Sequence, residues 1–153
     1  MKKNSLILGM LAVVIIFTSY SCKKEGNETN ISQHNQSNSH NIGRNCMDCH
    51  KSGGEGKGWF VVAGTAYTNA AGTSTLANST VKIYSEKNGG GTLLATINGD
   101  ALGNFFTTEN INFGTGVYPS ITGTGAEKFM GSSITNGQCS SCHGGSQGKI
   151  WAQ

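Results

Sequence analysis

The chain has 153 residues, with 11 Lys and Arg against 8 Asp and Glu, a formal charge of +3. That balance gives no electrostatic case for nucleic acid as a partner. Glycine fills 23 positions and proline one, with no fixed glycine period, which excludes a collagen-like or low-complexity chain and argues for turns and strands over long helices.

In chain order, Lys2 and Lys3 precede an apolar run from Leu6 to Phe17. Such a run fits the apolar core of an export signal and is short for a membrane span. Ser19-Tyr20-Ser21-Cys22 follows and resembles the cleavage box of bacterial lipoproteins. The resemblance implies a signal peptide over residues 1–21 and a lipidated Cys22 that holds the mature chain to a lipid bilayer. Ordinary secretion with Cys22 incidental, or an uncleaved anchor, would export the chain as well. In bacterial lipoproteins the residue after the cysteine influences sorting, and Lys23 is not the aspartate of inner-membrane retention, so the outer membrane and periplasm are favoured. Cleavage would remove Lys2 and Lys3 and leave nine basic and eight acidic residues.

Residues 22–44 are polar and free of aromatics, with Ile31 and Ile42 as the only large apolar side chains. The composition predicts a disordered tether. Its span would be roughly 25 Å if flexible. Residues 45–153 suffice for one domain with one modest core.

Within that domain, short runs of β-branched and aromatic residues alternate with turn clusters, a pattern that predicts an all-β sandwich or barrel. Six strands are expected: Trp59–Thr68, Thr80–Glu86, Thr92–Asn98, Asn104–Asn110, Val117–Gly123 and Lys128–Ile134. Period-two reading puts Val81 and Ile83 on one face, and Leu93, Ala95 and Ile97 on one face. These residues, with Val61, Phe105, Ile111 and Phe113, form the expected core, and the turns fall at Asn88–Gly91 and Asn98–Asn104. Pro119 is expected on an edge strand or a bulge.

Gly64-Thr65, the run Val81–Tyr84 and Asp100-x-x-Gly103-x-Phe105 carry a resemblance, over roughly residues 60–113, to the transthyretin-like or carboxypeptidase-regulatory-like sandwich. It implies a small antiparallel β-sandwich as a scaffold and no chemistry of its own.

Chemistry enters with Cys46-x-x-Cys49-His50 and Cys139-x-x-Cys142-His143, which use four of the five cysteines. Two thiols three residues apart on one turn can each add to a vinyl group of the same haem, and the adjoining histidine is then set against the iron. The reading is therefore two haem c groups, attached through Cys46, Cys49, Cys139 and Cys142, with His50 and His143 as axial ligands. Two disulfides would not explain why each pair is closed by a histidine. A zinc site would need thiolates to survive an oxidising compartment, and no βαβ pattern supports a thioredoxin-like exchange pair.

The repeat extends through Gly56-Lys57-Gly58-Trp59 and Gly148-Lys149-Ile150-Trp151. Trp59 and Trp151 are thus candidates to pack on a haem, or simply to anchor strands. The remaining candidates for the sixth, distal ligands are His40, Met130 and His34; Met47 lies inside the first attachment loop and cannot readily reach the far face of that haem. His40, six residues before Cys46, could cross to the second haem or stand solvated in the linker.

As a whole the layout resembles small exported cytochrome c-like proteins in which two such units flank a carboxypeptidase-regulatory-like sandwich. The resemblance implies a membrane-anchored dihaem electron carrier with redox-protein partners. No Ser-His-Asp arrangement or marked carboxylate pair points to an enzyme. A haem-based sensor or enzyme with one five-coordinate iron is the first alternative. The second is a surface binding or structural lipoprotein with disulfides in place of haem. An even number of antiparallel strands would bring the two units, 93 residues apart, to one side of the domain as a clamp.

Overall fold

The computed structural model describes residues 27–153. The expected signal peptide, the lipidated Cys22 and the start of the tether lie outside the described residues. Eight strands make up the fold: β1 (Val62–Tyr67), β2 (Thr80–Tyr84), β3 (Leu93–Asn98), β4 (Asn104–Thr107), β5 (Tyr118–Thr122), β6 (Lys128–Phe129), β7 (Gly137–Gln138) and β8 (Ile150–Trp151). Three single 3-10 turns are the only helical elements among the described residues, and no helix there is long and apolar enough to cross a membrane.

The strands form two sheets. One has the order β3-β2-β5-β6 and is antiparallel throughout; the other is centred on β1, with β4 antiparallel on one side and β7 and β8 on the other. Both β7 and β8 run parallel to β1, pairing Val62 with Gly137 and Tyr67 with Trp151. The all-β expectation holds, while the purely antiparallel one is corrected: the short C-terminal strands enter alongside β1 in its own direction. Each is two residues long and too short to show a periodicity.

Alternation along the strands builds one core between the sheets. Val62, Ala66 and Phe105 from the first sheet meet Val81, Ile83, Ile97 and Ile121 from the second. The intervening residues of β1 and β4 face the other way, where Phe60, Ala63 and Phe106 form a separate apolar cluster. Leu93 departs from its expected face and is exposed, because the β2–β3 register shifts at Ile83 and Tyr84. Pro119 lies on β5, between β2 and β6 and not at an edge; its carbonyl accepts from Met130 N (2.9 Å), so its missing N–H faces the two-residue β6.

Residues 27–44 differ from the expected tether. Ser32 is buried, its N–H donating to the Phe106 carbonyl (3.0 Å) while Phe106 N donates to Ser32 Oγ (2.8 Å). Asn30 N donates to Thr108 Oγ1, Ala101 N to the Gln36 carbonyl, and Gly43 N to Thr65 Oγ1. The segment is a strap along the outer edge of β4, the edge that β1 leaves open. Its lack of apolar residues misled the compositional reading, because the strap is held by hydrogen bonds to strand edges.

Candidate functional site

The two Cys-x-x-Cys-His units fold alike. In the first, a 3-10 turn over Cys46–Asp48 lets the Cys46 carbonyl accept from Cys49 N (3.3 Å) and His50 N (3.0 Å). In the second, a turn over Cys139–Ser141 repeats this, with the Cys139 carbonyl accepting from Cys142 N (3.3 Å) and His143 N (3.0 Å). Five residues around one tight turn carry both thiols and the imidazole of each unit. All four thiols are free.

Each loop then returns over its histidine. The Cys49 carbonyl accepts from Gly56 N (3.0 Å) and the Cys142 carbonyl from Gln147 N (2.9 Å). The next carbonyl in each loop meets the ring: Lys57 O lies 2.9 Å from His50 Nδ1, and Gly148 O lies 2.7 Å from His143 Nδ1. A carbonyl only accepts, so Nδ1 carries the proton in both rings and the Nε2 lone pair is left for a metal. This hydrogen-bond equivalence aligns Gly56 with Gln147 and hence Phe60 with Trp151. The Gly-Lys match in the sequence, which pairs Trp59 with Trp151, is one residue out of step because the second loop is two residues shorter.

The aromatic against the first histidine is accordingly Phe60. Its ring stacks on His50 with centroids 4.1 Å apart and planes within 9°, and Phe106 stacks on Phe60 at 4.7 Å. Trp59 precedes Phe60 in the chain, its backbone N–H donating to Asn27 Oδ1 (2.6 Å). Trp151 pairs with Tyr67 in the sheet, and the Lys128 ammonium lies over its ring. Trp151 is thereby anchored in a strand, whereas Trp59 precedes β1 and is tied through its backbone to Asn27. Phe60 was missed because it reads as one more apolar residue of a strand; only the loop's return over His50 distinguishes it.

A cleft of about 790 Å³ opens at the first unit, lined by His50, Cys46, Cys49, Phe60, Phe106 and His40 among others. Its size falls within the roughly 300–1,000 Å³ usual for ligand clefts. Arg44 and Lys57 supply cations on its wall, and Asp48 and Glu55 acidic groups. At the second unit, His143 borders a hollow of about 10 Å³ shared with Tyr67 and Lys149.

Burial pushes the Cys46 thiol up, and pushes the Cys139 thiol up to about 12. Cys139 packs against the inter-sheet core beside Gly64, whereas Cys46 packs on the Phe60–Ala63–Phe106 cluster on the opposite face of β1. Cys49 and Cys142 are exposed. Both turns pack on β1, and Cys46 lies close enough to Cys139 to add to the raising of its thiol. Among the described residues no group of three or more Cys, His, Asp or Glu gathers to hold a metal ion.

Of the expected distal ligands, His40 lies in the first cleft, its ring centroid 5.8 Å from that of His50. It stands with its own unit and does not cross to the second. His34 uses Nε2 to donate to the Ser79 carbonyl (3.1 Å), away from both units. Met130 follows β6, at the far edge of the other sheet. Both units abut β1, and the reason is the parallel return of β7, which ends at Gln138 directly before Cys139, where the sequence had suggested an even strand count.

The first unit fits a c-type haem: two thiols on one turn, an imidazole with Nε2 free, an apolar wall and a cleft that reaches all three. The second offers the same turn and imidazole without a comparable cleft. No protein-family model matches the chain, and no curated protein or solved structure matches it.

Proposed function

We propose that the chain is a dihaem c-type cytochrome, an electron carrier held to a bacterial membrane through Cys22, with a carboxypeptidase-regulatory-like sandwich as its scaffold. The observation that carries this reading is the duplicated local geometry. Two segments 93 residues apart fold into the same turn, and a backbone carbonyl fixes each histidine with Nε2 unprotonated. A disulfide role would not require the second feature. A bound haem supplies reversible one-electron iron chemistry.

In this reading the chain's own residues attach, orient and space. Cys46, Cys49, Cys139 and Cys142 form the thioether links, and His50 and His143 are the axial ligands. Lys57 and Gly148 hold the two imidazoles through their carbonyls, and β1 sets the separation of the units. Redox proteins are the partners. The test is a pyridine haemochrome spectrum and intact mass of the mature protein, made in a host that matures c-type haem. Two covalent haems per chain support the proposal, whereas a colourless chain with its cysteines oxidised in pairs would sink it in favour of a disulfide-stapled lipoprotein.

One observation favours a second reading for one of the sites. His34 is turned to Ser79 and His40 stands with the first unit, so no further histidine is left for the second iron, which is the one that would accept a small ligand. Carbon monoxide binding to the reduced protein at one haem per chain, with a ligand-dependent activity, would support the sensor or enzyme alternative.

A further inference from the structure

We infer that His40 is the second axial ligand of the haem held by Cys46, Cys49 and His50, and that the N-terminal strap exists to deliver it. The inference rests on the dihaem reading and assigns this site its sixth ligand.

The chain reverses between the two histidines. Asn41 and Gly43 adopt left-handed conformations (φ 53° and 76°), and Arg44 N donates to the Asn41 carbonyl (3.0 Å), closing a turn that leads straight into the Cys46 unit. His40 and His50 thereby come to lie across one cleft, with ring centroids 5.8 Å apart and planes 33° from parallel. Two imidazoles on opposite sides of one iron, each at a metal–nitrogen distance of about 2 Å, need a centroid separation of about this size.

His40 is also held in place from the domain side. Asn104, buried on β4, donates through Nδ2 to the His40 carbonyl (3.2 Å) and to Ser39 Oγ (2.9 Å), while its Oδ1 accepts from Thr65 Oγ1 (2.6 Å). Thr65 in turn accepts from Gly43 N (2.9 Å) on the far side of His40. Both flanks of the histidine are thus tied to the central strands, which is the support an oriented ligand needs. Residues 27–36 are pinned further along by Ser32, Asn30 and the mutual Asn35–Asn78 side-chain bonds. Asn104 is a positioning residue, acting through His40.

The test uses the mature, haem-loaded chain and three variants, His40→Ala, His40→Met and His34→Ala, with haem content checked by pyridine haemochrome. The expected result is that ferric His40→Ala loses low-spin absorbance and electron paramagnetic signal equivalent to one haem per chain, and that added imidazole restores it. His40→Met should keep that haem low-spin and raise its reduction potential, as Met/His ligation does. His34→Ala should leave both spectra unchanged. Two haems per chain with an unaltered low-spin fraction in His40→Ala overturns the assignment and leaves the dihaem reading standing. A chain without covalent haem overturns both.

Discussion

The imidazole of His50 lies flat on the ring of Phe60, 4.1 Å between centroids, with Gly56 against the same imidazole. A Cβ at Gly56 would come within 2.7 Å of ring atoms Cγ and Nδ1. The histidine is thus confined by an aromatic ring, by a residue with no side chain and by the Lys57 carbonyl. Gly56→Ala is expected to push the ring off its carbonyl. On the dihaem reading proposed above, haem content at the first unit should fall, or its axial-ligand spectrum should broaden, while the second unit is unaffected. Peptide mapping of haem attachment in the variant checks this.

Phe60 links that histidine to the fold. It is buried, it stacks on Phe106, and it stands where the first loop rejoins the sheet, its N–H donating to the His50 carbonyl (3.0 Å). Phe60→Ala should destabilise the protein by about 3 kcal/mol, at the lower end for a buried phenylalanine because one side of the cluster faces a cleft. Chemical denaturation reads the loss. Phe60→Leu should recover part of the stability without recovering the ring orientation.

Asn104 is the point at which strap, β1 and β4 meet. Asn104→Ala leaves the Thr65 hydroxyl and the Ser39–His40 segment without their shared partner, and should cost about 2 kcal/mol, the range for orphaning buried polar groups. Limited proteolysis should then cut within residues 37–44 before it cuts the sheets. Equal cutting rates in variant and wild type would show that the strap is held elsewhere.

Much of this was legible in the chain. Five of the six expected strand segments hold strands of four to six residues, because period two is a strong signal wherever one face is buried, as at Val81 and Ile83, whereas the sixth, Lys128–Ile134, shrinks to the two residues of β6. The repeated motif located both turns. The strap was not legible, since Ser32, Asn30 and Asn35 are as common in disordered segments as in segments that pair with an edge. Nor were β7 and β8, two residues each, or the part played by Phe60. These depend on where the chain returns, and distance in space leaves no periodicity in sequence.

Burial raises the Cys139 thiol from an ordinary 9.0 to about 12. In the haem-free, reduced chain the folded state therefore holds this proton longer than the unfolded state does. The buried thiol therefore carries no penalty below pH 9.0, and stability falls as pH climbs from there toward about 12. At about pH 8.5, iodoacetamide should label the exposed Cys49 and Cys142 first and Cys139 last, because the thiolate is the nucleophile. Time-resolved mass mapping distinguishes this order from uniform labelling.

Glu127 gives the opposite dependence. The Ser120 hydroxyl donates to it (2.6 Å), as does Tyr84 (3.2 Å), and Lys82 pairs with it at 3.5 Å; together they lower its pKa below the ordinary 4.5, the Ser120 bond most. A lowered carboxylate contributes stability above about its unfolded value, and that contribution disappears as pH falls through the folded one. Acid melts of Glu127→Gln should lack this component of the wild-type pH dependence, while melts near neutrality should show a small loss of stability.

The parallel return of β7 and β8 also bears on how the chain can be made. All six residues of β1 are buried, and β7 and β8 cover the edge that β4 leaves open. A chain ending at Asn136 would present a buried-type strand with a row of unpaired backbone donors and acceptors, the template on which other chains add. The second Cys-x-x-Cys-His unit occupies the loop between the two covering strands. Closing the sheet and shaping that unit are consequently one event, completed only when the last residues are in place. Until then a nascent molecule is adhesive along β1, and whatever binds the second unit also guards the protein against its own copies.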